Sequence, residues 1–204
     1  MSLAPVVPSR LEIDVLVQIN EVRADPAAFV ERLREYRSWF QDNLVYRPTG
    51  GPVMISREGV AAVDEAIAFL ERQPPLPPLS HAALLALAAQ DHAEEQGAAG
   101  TMGHASLDGS TVGARVQRRG GDIYVGEIIS YGFADSFEVV RQFVVDDGVP
   151  GRGHRKQMFD NMYRYMGVGC TAHMRKGYVC VVDMSRTADG NPVLPAGYVP
   201  GGGS

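Results

Sequence analysis

Apolar residues recur at helical spacing through the first half of the chain. Over residues 10–24, Ile13, Leu16, Val17 and Asn20 fall close to one face and predict a helix. Asp25-Pro26 reads as an N-cap followed by proline at the first helical position, and Phe29, Leu33, Tyr36 and Phe40 repeat at helical spacing behind it. Arg47-Pro48-Thr49-Gly50-Gly51-Pro52 breaks the pattern. Ser56 is placed to cap a third helix with Val60, Val63, Ile67 and Leu70 turned inward. Pro74-Pro75-Leu76-Pro77-Pro78 is a stiff extended connector, too short to separate domains. Ser80 opens a fourth helix, inward at Leu84, Leu87 and Asp91, that stops at Gly97.

The period then changes. A glycine-rich loop over 97–109 carries Met102-Gly103-His104-Ala105-Ser106, and a short helix covers 112–119. Over 123–130 the alternation of a strand puts Ile123, Val125, Glu127 and Ile129 on one face. Residues 137–147 return to helical spacing, with Val140, Phe143 and Val144 apolar, and end on Asp146-Asp147-Gly148. A tight loop through Pro150, Gly151 and Gly153 leads into a short helix over 154–160. Strands over 166–172 and 178–184 form a closing hairpin with its turn near 174–177. The pattern is that of one α+β domain, residues 11–187, with helices outnumbering strands. An N-terminal extension, 1–10, precedes it and a Gly/Pro-rich tail, 188–204, follows.

Composition narrows the choice of partner. At 204 residues, with 45% hydrophobic and 21% charged positions, the chain can bury one good core. A net charge of −5 argues against nucleic acid as the main partner. No apolar run approaches the roughly 18 residues of a membrane span. The opening Met1-Ser2-Leu3-Ala4-Pro5 lacks the basic start and apolar stretch of a signal peptide, as a mature or trimmed chain also would. The two cysteines, Cys170 and Cys180, flank the hairpin turn. A turn centred on Arg175 sets them opposite one another, within disulfide reach, which implies an oxidising compartment. A one-residue slip in register leaves two buried thiols instead.

Glu127 carries the most chemical information, because its strand neighbours on the same face are apolar. A carboxylate facing a protected space needs a partner, and His104 and His154 are the loop histidines available. With an acid at Asp146 or Asp147, the set is that of a zinc or other transition-metal site. Its members are scattered, without a local signature of the HExxH kind, and a salt bridge or capping glutamate without chemistry remains open. Arg115, Arg118 and Arg119 read as a solvated helix face, and so do His92 and Glu95. His81 and His173 suggest no role. Ser106, two residues after His104, makes a serine nucleophile formally possible. No nucleophile elbow, phosphate loop or dinucleotide fingerprint is present.

Together these segments resemble the CAP superfamily (cysteine-rich secretory proteins, antigen 5, pathogenesis-related 1), also called SCP domains, in its bacterial branch. Gly103-His104-Ala105-Ser106 resembles the family's first histidine motif, Gly126-Glu127 its Gly-Glu-Asn motif, and Gly153-His154-Arg155 with Met158-Phe159 its second histidine motif. Ile19-Asn20 with Arg23 resembles the first helix, and Met166-Gly167-Val168-Gly169 with the Tyr178 strand the closing hairpin. The resemblance implies a three-layer α-β-α sandwich with a small, largely antiparallel central sheet. It also implies a cleft tetrad of His104, Glu127, Asp146 and His154, with Asp147 the second candidate for the later acid. Two departures stand out: Ile128 replaces the asparagine of Gly-Glu-Asn, and a shorter aspartate replaces a glutamate, which could weaken a metal site or call for a bridging water. The implied function is a secreted, non-enzymatic binding module, extracellular or periplasmic. Its cleft would hold a divalent metal, zinc, through His104 and His154, and a lipid, sterol or peptide ligand. The alternatives are a zinc-dependent, peptidase-like hydrolase with Glu127 as base, and a structural remnant whose tetrad is only a buried hydrogen-bonded cluster.

Overall fold

The computed structural model describes residues 8–193. The expected extension and tail therefore lie partly outside the described residues. Ser9 and Glu12 form a capping box at the start of α1 (Arg10–Ala24). The buried stripe of α1 is Val15, Ile19 and Val22, not the expected face, since Ile13 and Val17 are 44% and 45% exposed. Glu12 accounts for the change of phase: its carboxylate points inward and accepts the Cys170 N–H at 2.9 Å. Asp25 caps α2 (Pro26–Arg37), which buries Phe29, Leu33 and Tyr36. Phe40 lies beyond that helix in a small sheet the sequence did not suggest, formed by β1 (Phe40–Gln41), β2 (Leu44–Val45) and β3 (Met54–Ile55). Two-residue strands are too short for alternation to show. Ser56 accepts the Gly59 N–H at 2.8 Å and stands one turn before α3 (Val60–Leu70), whose N-cap is Gly59.

Ser80 belongs to β4 (Ser80–His81), and α4 (Ala83–Ala99) starts after it. The inward face of α4 is Leu85, Ala88, Ala89, His92, Ala93 and Gln96, where Leu84, Leu87 and Asp91 were expected. The sheet beneath dictates the difference. Gly167 and Gly169 let α4 approach backbone to backbone, and a Cβ on Gly167 would stand 2.0 Å from the Ala86 nitrogen. Small side chains must face such a contact.

The chain continues through α5 (Val112–Arg118), β5 (Val125–Tyr131), α6 (Ser136–Val145), a 3₁₀ turn (Pro150–Arg152), α7 (Gly153–Met158), β6 (Tyr165–His173) and β7 (Gly177–Ser185). The main sheet runs β4-β6-β7-β5, antiparallel apart from the short β4–β6 pair. Strands and α-helices are equal in number among the described residues, so helices do not outnumber strands; they are longer. One sheet face packs on α4 and α5 through Ala89, Ala93, Val116, Val179 and Val181. The other packs on α1 and α6, with α2 and α3 beyond, around Ile19, Leu33, Phe143 and Val182. This is the α-β-α sandwich expected. The hairpin register sets Cys170 opposite Cys180, and the two are joined by a disulfide with Cα atoms 4.2 Å apart. No helix among the described residues is long and apolar enough to cross a membrane.

Candidate functional site

β5 is an edge strand of the sheet, and the candidate site forms along it, with side chains drawn from both helical layers. Val125, Glu127 and Ile129 alternate toward the α4–α5 layer, as the spacing predicted, although Ile123 precedes the strand and is half-exposed. Ile128, where the family pattern has asparagine, points the other way into the core beside α6. That departure therefore leaves the carboxylate's own surroundings intact.

Glu127 is buried, and both of its oxygens are engaged. Oε1 accepts from His104 Nδ1 at 2.8 Å. Oε2 accepts from Arg115 Nη2, a guanidinium that is itself 1% exposed. The expectation that Arg115 belongs to a solvated face is thus wrong. A buried glutamate on an apolar face requires a cation, and Arg115 supplies it from α5. Its other nitrogen donates to the His104 carbonyl at 3.0 Å and to the Ser106 hydroxyl at 3.2 Å. Ser106 is 6% exposed and serves as an acceptor there, a structural place rather than a nucleophile's.

The loop before His104 is pinned at Gly103. Its N–H donates to the Tyr131 hydroxyl at 2.9 Å, and its carbonyl accepts from His92 Nε2 at 3.0 Å and from Gln96. Burial raises the Tyr131 phenol above its usual range, so it stays protonated and donates onward to Gln96 at 2.6 Å. His92 is fully buried, not solvated as expected, and fastens this loop. His173, assigned no role from sequence, ties the hairpin turn to the same region by donating to the Thr101 carbonyl at 2.8 Å.

The second pair comes from the opposite layer. Asp146 ends α6 in the left-handed conformation (φ 56°), which aspartate tolerates better than most residues. The bend turns its buried carboxylate onto the start of α7. There it accepts from the His154 N–H at 2.9 Å, the Arg155 N–H at 3.3 Å and His154 Nδ1 at 2.6 Å. The shorter side chain thus reaches its histidine directly. Asp147 turns away to cap the approach to α3, accepting from the Ser56 hydroxyl and the backbone N–H groups of Arg57 and Glu58. Of the two aspartates considered, Asp146 is the one beside His154.

His104 and His154 both line one open cleft of about 350 Å³, walled also by Met102, Ile129, Tyr131 and Val149. An ionised carboxylate can only accept, so each ring donates through Nδ1–H, which leaves Nε2 outside that bond; in the neutral ring Nε2 carries a lone pair. Among the described residues no cluster of three or more His, Cys, Asp or Glu side chains is arranged around a common metal position. The residues that could hold an ion are the two imidazoles, backed by their carboxylates.

Asp183 went unnoticed in the sequence. It faces Glu127 across the β5–β7 ladder, fully buried, with no hydrogen-bond partner on either oxygen. Burial first, then the charge of Glu127, raises its pKa well above the ordinary aspartate value. Period-2 alternation in the hairpin strand, which puts Asp183 on the same face as Val179 and Val181, was the available signal.

Residues 18–184 match the model of the cysteine-rich secretory protein family, CAP. None of the curated proteins matches the chain. Similar solved structures include the following three. An extracellular SCP-domain protein of Bacillus anthracis is 24% identical with a TM-score of 0.46, the alignment covering 55% of this chain and 35% of that one. An outer surface protein of Borrelia burgdorferi is 18% identical with a TM-score of 0.46, covering 63% and 91%. A cysteine-rich secretory protein of Staphylococcus aureus is 16% identical with a TM-score of 0.40, covering 62% and 37%. The chain thus spans little more than a third of the Bacillus and Staphylococcus proteins.

Proposed function

The chain belongs to the cysteine-rich secretory protein (CAP) family, and from that premise we propose that it is an exported binding module whose cleft presents two imidazoles to a single ligand. One observation carries the reading. His104 and His154 line the same hollow, and each spends Nδ1 on a private carboxylate. Carboxylate-backed imidazoles of this kind suit a divalent metal, because the backing fixes ring and tautomer and raises the basicity of the free nitrogen. His104 and His154 would hold zinc, with water or ligand atoms completing the shell. A bound ion would supply a Lewis-acid contact for an oxygen or nitrogen of the ligand. The apolar wall of Met102, Ile129 and Val149 fits the carbon skeleton of a peptide or lipid ligand. The Cys170–Cys180 bridge supports export to an extracellular or periplasmic setting.

The hydrolase alternative is disfavoured by the state of Glu127. A general base needs an oxygen within reach of the attacking water, and here both oxygens are committed, one to His104 and one to Arg115. Calorimetric titration with zinc tests the reading. One ion should bind per chain, and His104→Ala and His154→Ala should each weaken binding by more than about tenfold. Zinc uptake that is absent, or indifferent to both substitutions, would refute the metal assignment.

A further inference from the structure

The cleft lining contains one permanently charged cation that the site described above does not use. Arg57 is exposed in the turn before α3 and lines the hollow together with His104 and His154. Its backbone and its stem are each held. Its N–H donates to Asp147 Oδ2 at 2.8 Å. Its aliphatic stem crosses Gly148 so closely that a Cβ there would stand 2.2 Å from Arg57 Cδ. Gly148 (φ +73°) is thus both a turn residue and the seat for this side chain.

The carboxylates around Arg57 are already matched elsewhere. Asp146 is taken by His154 and two backbone N–H groups. Asp147 holds the start of α3. Glu58 pairs with Arg152 at 2.6 Å and accepts from the Gly148 N–H, which together hold it down to about 2. Glu127 is taken by Arg115 and His104. Among the described residues, no carboxylate lies within ion-pair distance of the Arg57 guanidinium. A guanidinium stays charged at any physiological pH and offers a planar fork suited to carboxylate or phosphate. We propose that Arg57 is the anion-recognition residue of the cleft, taking a carboxylate or phosphate on a ligand whose other part meets His104 and His154. This deepens the binding-module reading and rests on it.

The test follows the Arg57 Nε–Hε signal by NMR in metal-free protein during three separate titrations. The probes are inorganic phosphate, N-acetylglycine and the uncharged N-acetylglycinamide. Saturable shifts are expected with phosphate or N-acetylglycine, and none with the amide; the stronger of the two anions identifies the ligand group. Arg57→Gln keeps the stem over Gly148 and should weaken anion binding by about tenfold or more, the scale of a charge-assisted hydrogen bond. Equal binding to Arg57→Gln, equal response to the amide, or similar shifts at every exposed arginine would overturn the proposal. The zinc titration of wild-type protein reads the histidine pair independently. Zinc binding with no anion response sinks this proposal alone, and an anion response without zinc binding sinks the metal reading alone.

Discussion

Asp183 and Glu127 put two carboxyl groups side by side in the sheet, with Arg115 the cation that faces them from α5. One positive charge balances one negative charge, so ionisation of Asp183 is disfavoured. Because its folded pKa is raised above 3.8, the folded state keeps a proton that the unfolded chain releases. The contribution of Asp183 to stability is then fully present below about pH 4 and declines as pH rises toward its folded value. Asp183→Asn mimics the protonated acid and should remove this decline. Urea denaturation at pH 7 should show a gain of about 1–3 kcal/mol, shrinking as pH is lowered toward 4. Arg115→Ala should do the reverse, leaving Glu127 without its guanidinium and with only His104 as partner, at a cost of about 3–5 kcal/mol, read in the same experiment. Glu127 was legible in the sequence because apolar neighbours on one strand face leave a charged residue conspicuous. Arg115 was not, since its partner lies on another element and an arginine on a short helix ordinarily faces water. The clue was the demand of Glu127 for a cation, which the loop histidines alone do not meet.

At the level of elements, the phase of α4 is set by the sheet rather than by its own leucines. Gly169 lies under the helix backbone, where a Cβ would meet the Gln90 nitrogen at 2.3 Å. Gly169→Ala should force α4 outward and destabilise the fold by about 1–3 kcal/mol or more, seen as a lowered Tm. Gly153→Ala is the contrast. Nothing lies within 4 Å of a Cβ there and the backbone is already helical (φ −61°), so the change should be neutral or stabilising by up to about 1 kcal/mol. The Asp25-Pro26 start and its apolar repeat located α2, and helical spacing gave the extent of α1 though not its buried face. Helical spacing missed the inward face of α4 because alanine and glycine carry little hydrophobic signal, although they are what close packing requires. The short strands β1, β2 and β3 left no periodic trace at all.

For the whole molecule, order along the chain made the fold legible: a histidine loop, a glutamate strand, a second histidine loop and a cysteine hairpin follow one another as the family pattern has them. What the sequence left open was which aspartate turns inward, and the left-handed cap at Asp146 decides it. The disulfide closes a loop of sequence separation 10 in the hairpin at the centre of the sheet. Replacing both cysteines by serine should lower stability by about 2–3 kcal/mol and leave the circular dichroism of the folded state unchanged. The sandwich brings His104 from one helical layer and His154 from the other to a single hollow at the β5 edge, and the proposed function depends on that convergence. The most direct test is NMR of the imidazole nitrogens during zinc addition. Nδ1 should be protonated in both rings, and both Nε2 signals should move together, saturating at one ion per chain. A response from one ring only, or two rings saturating at different zinc concentrations, would contradict a shared site.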